Sequence, residues 1–151
     1  MGHRVVGYGV DPHRVQQLAA GQSCVRDVAS SRLRAVLDSG VYSATAAGAT
    51  LAGFDIAVIT VPTLLRDGVP DLTYIECCAR TLGEHLRHGA TVVLESTSYP
   101  GTTEELLLPI LEETSGLKGG ADFSPERIGN KRWSFDGTPK LVSGIDANHS
   151  M

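Results

Sequence analysis

The sequence predicts an α/β domain built on a mostly parallel sheet, because strand-like and helix-like segments alternate along its 151 residues. Two apolar runs, 54–61 and 90–96, have the β-branched composition of strands buried on both faces of a parallel sheet. The helix-like segments between the strands carry their apolar residues on one stripe. A chain of this length has room for one domain with a real core. We predict that the domain covers 1–146 and that 147–151 is a tail.

The first third of the chain predicts a strand, two helices and a weak second strand. Residues 4–10 form a short apolar run, and Asp11 can cap a helix over 12–20. A second helix is predicted at 30–38. Residues 41–45 are weakly strand-like.

The middle of the chain predicts a strand, a loop, a helix and a strand. The strand at 54–61 leads into a polar, proline-marked loop at 62–71. Asp71 then caps a helix that extends to Gly89, and the strand at 90–96 follows. Ligands of parallel sheets bind at the carboxyl ends of the strands, so the segments that follow each strand are the candidate sites.

The last helix is predicted at 101–113, where a capping box of Thr102 and Glu105 opens it. Pro109 lies inside this helix and is expected to kink it or to shorten its last turns. The sequence that follows predicts a loop, and 139–144 predicts a last short strand.

The composition argues against several kinds of function. A net charge of −4 without a basic run argues against nucleic-acid binding. No apolar run reaches the roughly 18 residues that a membrane span needs, and no leader precedes the first strand, so we expect a cytoplasmic protein. Cys24, Cys77 and Cys78 form no CxxC pair and no His lies at metal-ligand spacing from them, which favours free thiols and no metal site.

Two segments at predicted strand ends carry hydroxyl groups. The segment TVPT (60–63) offers threonines and a backbone that can line a cofactor ring, although a plain strand-exit loop has the same composition. The segment ESTSYPGTTEE (95–105) offers three consecutive hydroxyls and the free amides of a helix start, which suit an anion or a polarised carbonyl oxygen. A turn followed by a capping box remains the alternative for it.

The segment SPER (124–127) sets a carboxylate beside a guanidinium in a predicted loop. Such a pair can serve acid–base chemistry and hold a substrate, and a solvated loop ion pair is the alternative. The five histidines are scattered and have no Ser or Cys partner, so a nucleophilic triad is not expected.

The order of these segments resembles the N-terminal, NAD-binding domain of the nucleotide-sugar 6-dehydrogenases, the UDP-glucose/GDP-mannose dehydrogenase family. The resemblance covers nearly the whole chain, and ESTSYPGTTEE and SPER are its most specific parts. These two segments are more similar to the branch that acts on UDP-N-acetylhexosamines than to the UDP-glucose enzymes. The resemblance implies a Rossmann-like fold.

The resemblance also implies NAD as the cofactor and oxidation of the sugar C6 alcohol to a carboxylate, through a cysteine thioester. It implies that Asp11 and Arg14 lie along the adenosine half of the cofactor. It implies that its ribose and phosphate are contacted by Val61, Pro62 and Thr63, and its nicotinamide end by Ser96 and Thr97. For catalysis it implies that Thr97 positions a water, that Glu126 is the general acid/base, and that Arg127 binds the UDP-sugar.

Several departures from the family pattern limit these expectations. Family members begin with a strand and a Gly-x-Gly-x-x-Gly turn, so we expect an incomplete Rossmann-like fold that lacks the first strand and its glycine-rich loop. Aligned through Arg14, the carboxylate for the adenosine ribose falls on Gly9, two residues before Asp11. The segment between Phe123 and SPER is shorter than in the family. None of the three cysteines matches the nucleophile, which belongs to a C-terminal half outside these residues.

Two hypotheses follow from these observations. The first is the NAD-binding domain of a nucleotide-sugar 6-dehydrogenase that has little or no turnover by itself. The second is a non-catalytic nucleotide-binding or interaction module. In either case, sheet edges left open by the missing strand predict self-association.

Overall fold

The computed structural model describes residues 3–66, 68–129 and 141–144, with side chains up to Glu126. The chain divides into two compact units, one up to Ala52 and one from Gly53, and each has its own sheet. The predicted α/β class with a mostly parallel sheet is confirmed. The predicted boundary at residue 146 lies outside the described residues.

The first unit contains two parallel strands and two helices. Its elements are β1 (Val5–Tyr8), α1 (Pro12–Ala19), α2 (Ser30–Asp38), β2 (Tyr42–Thr45) and a 3₁₀ turn at Gly48–Leu51. Strand β1 pairs with β2 from Val5 opposite Tyr42 onward. The predicted cap is confirmed, since the Asp11 side chain accepts hydrogen bonds from two amides of the first turn of α1.

The interior of the first unit is small. Leu33 and Gly21 are the only buried residues between 3 and 52. Gly7 lies under the ring of Tyr42, and a Cβ at this position would come 2.5 Å from the Tyr42 hydroxyl oxygen. Partial burial also raises the pKa of Tyr42. Strands β1 and β2 therefore approach closely where Gly7 meets the ring of Tyr42.

The second unit contains a four-stranded sheet and a small hairpin. Its elements are β3 (Ile56–Ile59), β4 (Leu65–Arg66), β5 (Val69–Pro70), α3 (Thr73–Gly83), β6 (Thr91–Leu94), a π-helical turn (Thr103–Leu107) that continues into α4 (Leu108–Ser115), β7 (Ser124–Gly129) and β8 (Leu141–Gly144). The strand order is β3-β6-β7-β8, and only β8 runs antiparallel. The predicted last strand is confirmed.

The core of the second unit surrounds β6. Val92, Val93 and Leu94 are all buried, as the sequence predicts for a central parallel strand. Apolar residues of the helices also belong to this core, among them Ile75 and Ala79 of α3, Leu107 of the π-helical turn and Leu111 of α4. The two helices approach closely where Gly83 faces Thr114, and the side chain of Thr114 leaves no room for a Cβ at Gly83.

Strand β3 differs from the prediction of burial on both faces. Ile56 is 63% exposed and Val58 is 51% exposed, whereas Ile59 is fully buried. Among the described residues β3 pairs only with β6, so it is an edge strand. Side chains alternate between the faces of a strand, and only the face that carries Ile59 is covered.

The predicted loop at 62–71 contains a hairpin instead. Strands β4 and β5 pair antiparallel, with Arg66 opposite Val69. The amide of Asp71 donates to the carbonyl of Leu64 (2.7 Å), and the Asp71 carboxylate lies 3.4 Å from the guanidinium of Arg66. Two-residue strands are too short to produce a periodic pattern in the sequence, which explains why the hairpin was not predicted.

The start of the last helix also differs from the prediction. Thr102 has helical backbone angles and donates to the carbonyl of Tyr99 (2.7 Å), so the predicted capping box is wrong. The Glu105 carboxylate packs on Gly101 instead, and a Cβ at Gly101 would come 2.7 Å from its Oε1 atom. Pro109 does not shorten the last turns, since α4 continues to Ser115, and the irregularity lies before the proline, in the π-helical turn. A proline has no amide to donate to residue i−4, and a wider turn before it relieves the clash.

Helix α3 ends at Gly83, six residues before the predicted end at Gly89. Turns follow, and Arg87 fixes them to the amino end of β3. Its Nε atom donates to the carbonyls of Gly53 (3.2 Å) and Phe54 (3.1 Å), and its guanidinium pairs with Asp55. Arg87 therefore anchors the end of the sheet that lies opposite the candidate site.

Candidate functional site

In the first unit, the candidate cofactor residues follow the carboxyl end of β1. The amide of Gly9 continues the parallel ladder by donating to the carbonyl of Thr45 (3.1 Å). Asp11 is exposed, and its Oδ1 atom accepts from the amides of His13 (3.0 Å) and Arg14 (3.3 Å). The Arg14 side chain is exposed on the first turn of α1. The structure thus brings Asp11 and Arg14 together, with the carboxylate engaged as a helix cap.

In the second unit, Ser96 joins the carboxyl ends of β3 and β6. The residue is buried, and its hydroxyl lies within donating distance of the carbonyls of Val61 (2.8 Å) and Ile59 (3.2 Å). The amides of Glu95 and Ser96 donate to the same Ile59 carbonyl (3.0 and 3.1 Å). The predicted residues Val61 and Ser96 are therefore in contact, and Ser96 holds the loop after β3 in place.

The other predicted residues of this edge differ in their exposure. Val61 and Thr63 are half-buried, whereas Pro62 and Thr97 are exposed. Of the three consecutive hydroxyl residues 96–98, Thr97 is the exposed one. The edge thus offers a fixed loop at 61–63 and two exposed threonines, Thr60 after β3 and Thr97 after β6.

The SPER segment lies in strand β7, so the prediction that it is a loop is wrong. Glu126 is in register with Val93 of β6, and Arg127 is in register with Leu94. Strand β7 begins at Ser124, directly after Phe123, so these residues lie within the sheet. Glu126 is half-buried. Ser96 lies three residues beyond Val93, which is about 10 Å along a strand.

Sequence reasoning missed the main-chain carbonyl of Ile59, which accepts hydrogen bonds from Ser96 and Glu95. No residue type encodes a carbonyl acceptor, so the sequence held no signal for it. The only available signal was that a serine follows a buried strand directly, at a position where a hydroxyl reaches the neighbouring strand.

The cysteines do not form a reactive centre in the described part of the chain. All three thiols are free, and Cys77 and Cys78 are consecutive residues of α3. Burial, together with the neighbouring Cys77, raises the pKa of Cys78 to about 11. No cluster of three or more His, Cys, Asp or Glu side chains occurs among the described residues. No helix within the described ranges is long and apolar enough to cross a membrane.

The residues of each unit suit part of a dinucleotide. The loops of both units follow the carboxyl ends of parallel strands, where dinucleotides bind in such sheets. In the second unit a fixed main-chain loop and the Thr97 hydroxyl offer polar contacts without a charged side chain. In the first unit an open glycine precedes a helix that carries exposed polar groups. The sequence has no Gly-x-Gly-x-x-Gly turn.

Comparison of the sequence and the structure with known proteins agrees with a dinucleotide-binding fold. The family model for the NAD binding domain of the UDP-glucose/GDP-mannose dehydrogenases matches residues 1–137. UDP-N-acetyl-D-mannosamine dehydrogenase of Pyrococcus horikoshii is 36% identical over 132 residues, which are 84% of this chain and 31% of that protein. UDP-N-acetyl-D-glucosamine 6-dehydrogenase of Pseudomonas aeruginosa is 34% identical over 147 residues, which are 93% of this chain and 34% of that protein.

A solved structure of the Pyrococcus horikoshii UDP-D-ManNAc dehydrogenase superimposes with a TM-score of 0.89 at 29% identity. The superposition covers 97% of this chain and 36% of that one. The chain therefore spans about a third of the length of the relatives that it matches.

Proposed function

The chain belongs to the UDP-glucose/GDP-mannose dehydrogenase family, and from this premise we propose that it binds NAD and that these 151 residues do not oxidise a sugar nucleotide by themselves. The observation that carries the binding proposal is the join between β3 and β6. Ser96 fixes the carbonyl of Val61, and this leaves 61–63 and the Thr97 hydroxyl together at one sheet edge. A fixed edge of this kind suits the nicotinamide half of the cofactor, since little ordering is left to occur on binding.

The register of Glu126 supports the absence of turnover. A general base must come within hydrogen-bond reach of the proton that it removes. Glu126 is paired with Val93 inside the sheet, about 10 Å short of the position of Ser96 along the strand. If substrate and nicotinamide meet at the edge beside Thr97, Glu126 lies too far away to act as the acid/base. Arg127 is one position nearer to that edge on the same strand.

The substrate class of the whole protein is also a proposal. The two relatives described above are named for UDP-N-acetylhexosamines, and the segment ESTSYPGTTEE is most similar to that branch. We therefore assign a UDP-N-acetylhexosamine as the substrate of the full-length enzyme, oxidised at C6 with NAD as the acceptor. We also propose a cytoplasmic location, where Cys24, Cys77 and Cys78 would remain reduced.

Calorimetry with NAD, followed by an assay for NADH absorbance with UDP-N-acetylglucosamine, tests both parts of the proposal. We expect micromolar binding of NAD and no formation of NADH. A variant Thr97→Ala, which removes the exposed hydroxyl that follows Ser96, should weaken binding. Thr81→Ala is the matched control, since Thr81 lies on α3 and donates only within its own helix (3.1 Å).

Two results would contradict the proposal. An absence of heat with NAD would mean that the cofactor site does not function in this chain. Steady formation of NADH would mean that Glu126 or another group acts as the base despite the register of β7.

We further propose that the open edge of β3 supports self-association. Ile56 and Val58 are exposed side by side on an edge strand, and such edges pair with other chains. Sedimentation of the wild type and of Val58→Lys tests this proposal. The charge should shift the protein toward monomer, whereas a wild type that is monomeric at all concentrations would refute it.

A further inference from the structure

The buried polar side chains of the described residues flank one loop. Ser96 is 8% exposed, Thr102 is fully buried and Thr103 is 3% exposed, and no other polar side chain is buried among the residues whose side chains are described. The loop between them, 97–101, begins with the exposed Thr97. Burial of a hydroxyl costs free energy unless a hydrogen bond compensates it. The hydrogen bonds at the two ends of this loop therefore decide what the buried hydroxyls contribute.

Thr102 closes the second end of the loop. Its hydroxyl donates to the carbonyl of Tyr99 (2.7 Å), and its amide donates to the same carbonyl (3.3 Å). Gly101, directly before it, has a φ of +92°, which L side chains rarely adopt. The carbonyl of Gly101 accepts from the amide of Glu105 (2.8 Å), which ties the turn to the helix that follows. The turn at Tyr99–Thr102 is thus held by a side chain as well as by the main chain.

Ser96 closes the first end of the same loop. Its hydroxyl donates to the carbonyl of Val61 (2.8 Å), on the loop that follows β3. Thr97 comes next in the chain, and Thr102 acts two residues beyond the middle of the loop, at Tyr99. A short loop that is fixed at both ends has little conformational freedom. The position of the Thr97 hydroxyl therefore depends on both buried hydroxyls.

We propose that Thr102 is a positioning residue for the nicotinamide end of the cofactor, and that it acts through Thr97 without touching the ligand. The proposal rests on the proposed function, because it concerns the same bound NAD. A hydroxyl that holds the loop before binding reduces the ordering that is left to occur when NAD binds. The neighbouring Thr103 has no such role, because its Oγ1 atom has no hydrogen-bond partner among the described residues.

Calorimetry with NAD and with ADP-ribose, which lacks the nicotinamide, tests the proposal on the purified chain. Thr102→Val keeps the shape of the side chain and removes the hydroxyl. We expect this variant to bind NAD about fivefold more weakly than the wild type, which is the effect of one neutral hydrogen bond. Its affinity for ADP-ribose should be unchanged. Thr102→Ser retains a hydroxyl and should restore the affinity for NAD.

Matched variants separate positioning from stability. Thr103→Val removes a similarly buried hydroxyl one residue away, which has no partner in the described part of the chain, and should leave the affinity for NAD unchanged. Thr114→Val removes a hydroxyl that donates to the carbonyl of Ile110 (2.7 Å) at the far end of α4. It should lower the melting temperature and leave the affinity unchanged. In a Thr97→Ala background, Thr102→Val should weaken binding no further, since both residues act through one contact.

The possible failures are distinct. An unchanged affinity for NAD in Thr102→Val would overturn the proposal and leave the proposed NAD function intact. Equal weakening of NAD and ADP-ribose would also overturn it, since Thr102 would then act on the fold as a whole. Additive effects of Thr97→Ala and Thr102→Val would show that Thr102 does not act through Thr97. If the wild type gives no heat with NAD, the proposed function and this proposal both fail.

Discussion

Ser96 shows how one hydroxyl can connect two strands at a candidate site. The side chain is buried, and its hydroxyl is directed at main-chain carbonyls of the strand next to its own. A buried hydroxyl that is already satisfied in this way contributes by positioning the chain around it. Thr97, one residue later and exposed, is the residue available to a ligand.

Ser96→Ala should lower the free energy of unfolding by about 1 kcal/mol, because the part-buried hydrogen bond from its hydroxyl to the Val61 carbonyl is lost. It should also weaken NAD binding, since the loop at 61–63 is released. Urea unfolding and NAD calorimetry measure the two effects. Thr97→Ala separates them, because it should weaken binding and leave the free energy of unfolding nearly unchanged. Equal effects of both variants on stability would contradict this assignment.

Cys77 and Cys78 should differ in reactivity although they are adjacent. Burial raises the pKa of Cys78 to about 11, so at pH 8 it is a thiol and not the reactive thiolate, whereas Cys77 is exposed. Labelling with a disulfide reagent followed by peptide mapping should find Cys77 modified first.

The raised pKa of Cys78 also makes stability depend on pH, and its contribution to stability is fully present below the pKa of the unfolded chain. This stabilisation is lost as pH rises through about 11, so the melting temperature should fall in strong alkali, and less so in Cys78→Ala.

The hairpin and the start of α3 depend on one carboxylate, Asp71. It accepts from the hydroxyl (2.6 Å) and the amide (3.0 Å) of Thr73, and it pairs with Arg66 on β4. These contacts, the Thr73 hydroxyl first, lower the pKa of Asp71. Asp71 is not the predicted N-cap of α3, which is Leu72, but its carboxylate links the first residue of the helix to the hairpin.

Asp71→Asn should reduce the melting temperature at neutral pH, because a neutral amide has no charge to pair with Arg66 and its oxygen is a weaker acceptor for the Thr73 hydroxyl. The contribution of a lowered pKa is present above the unfolded value, about 3.9, and is lost as pH falls through the folded value. Melting curves of wild type and variant should therefore converge in acid. A constant difference at every pH would show that Asp71 stabilises the protein without its charge.

Elements whose signal lies within the element could be predicted from the sequence. Strand β6 has an apolar run that fits burial on both faces, and α1 has an aspartate that caps its first turn. Features that depend on neighbouring elements were not predictable. The exposure of Val58 follows from the edge position of β3, and the place of Glu126 follows from its register with Val93. The SPER motif is the same in any register, so the motif alone could not give the position of Glu126 in the sheet.

Across the whole molecule, the two units have unequal cores. Between residues 3 and 52 Leu33 is the only buried apolar side chain, whereas the second unit buries Val92, Val93 and Leu94 of β6 together with apolar residues of α3 and α4. Segments with few buried contacts open at lower free energy.

Hydrogen exchange should therefore distinguish the units. We expect the amides of β6 to exchange at least roughly tenfold more slowly than those of β1 and β2, because opening free energies follow local burial. Mass spectrometry of peptic fragments measures this difference. Equal protection in both units would show that they open as one cooperative block.

The anchoring of β3 by Arg87 has a consequence for protein engineering. Arg87 acts at the amino end of the sheet, while Ser96 and the loop at 61–63 lie at the carboxyl end. The two ends of the four-residue strand β3 can thus be substituted separately. Substitutions at the amino end change the stability of the sheet, and substitutions at the carboxyl end change ligand binding. When a library of variants is selected for cofactor binding, substitutions in the turns around Arg87 can restore lost stability. They do so without changing the residues at the carboxyl end that contact the cofactor.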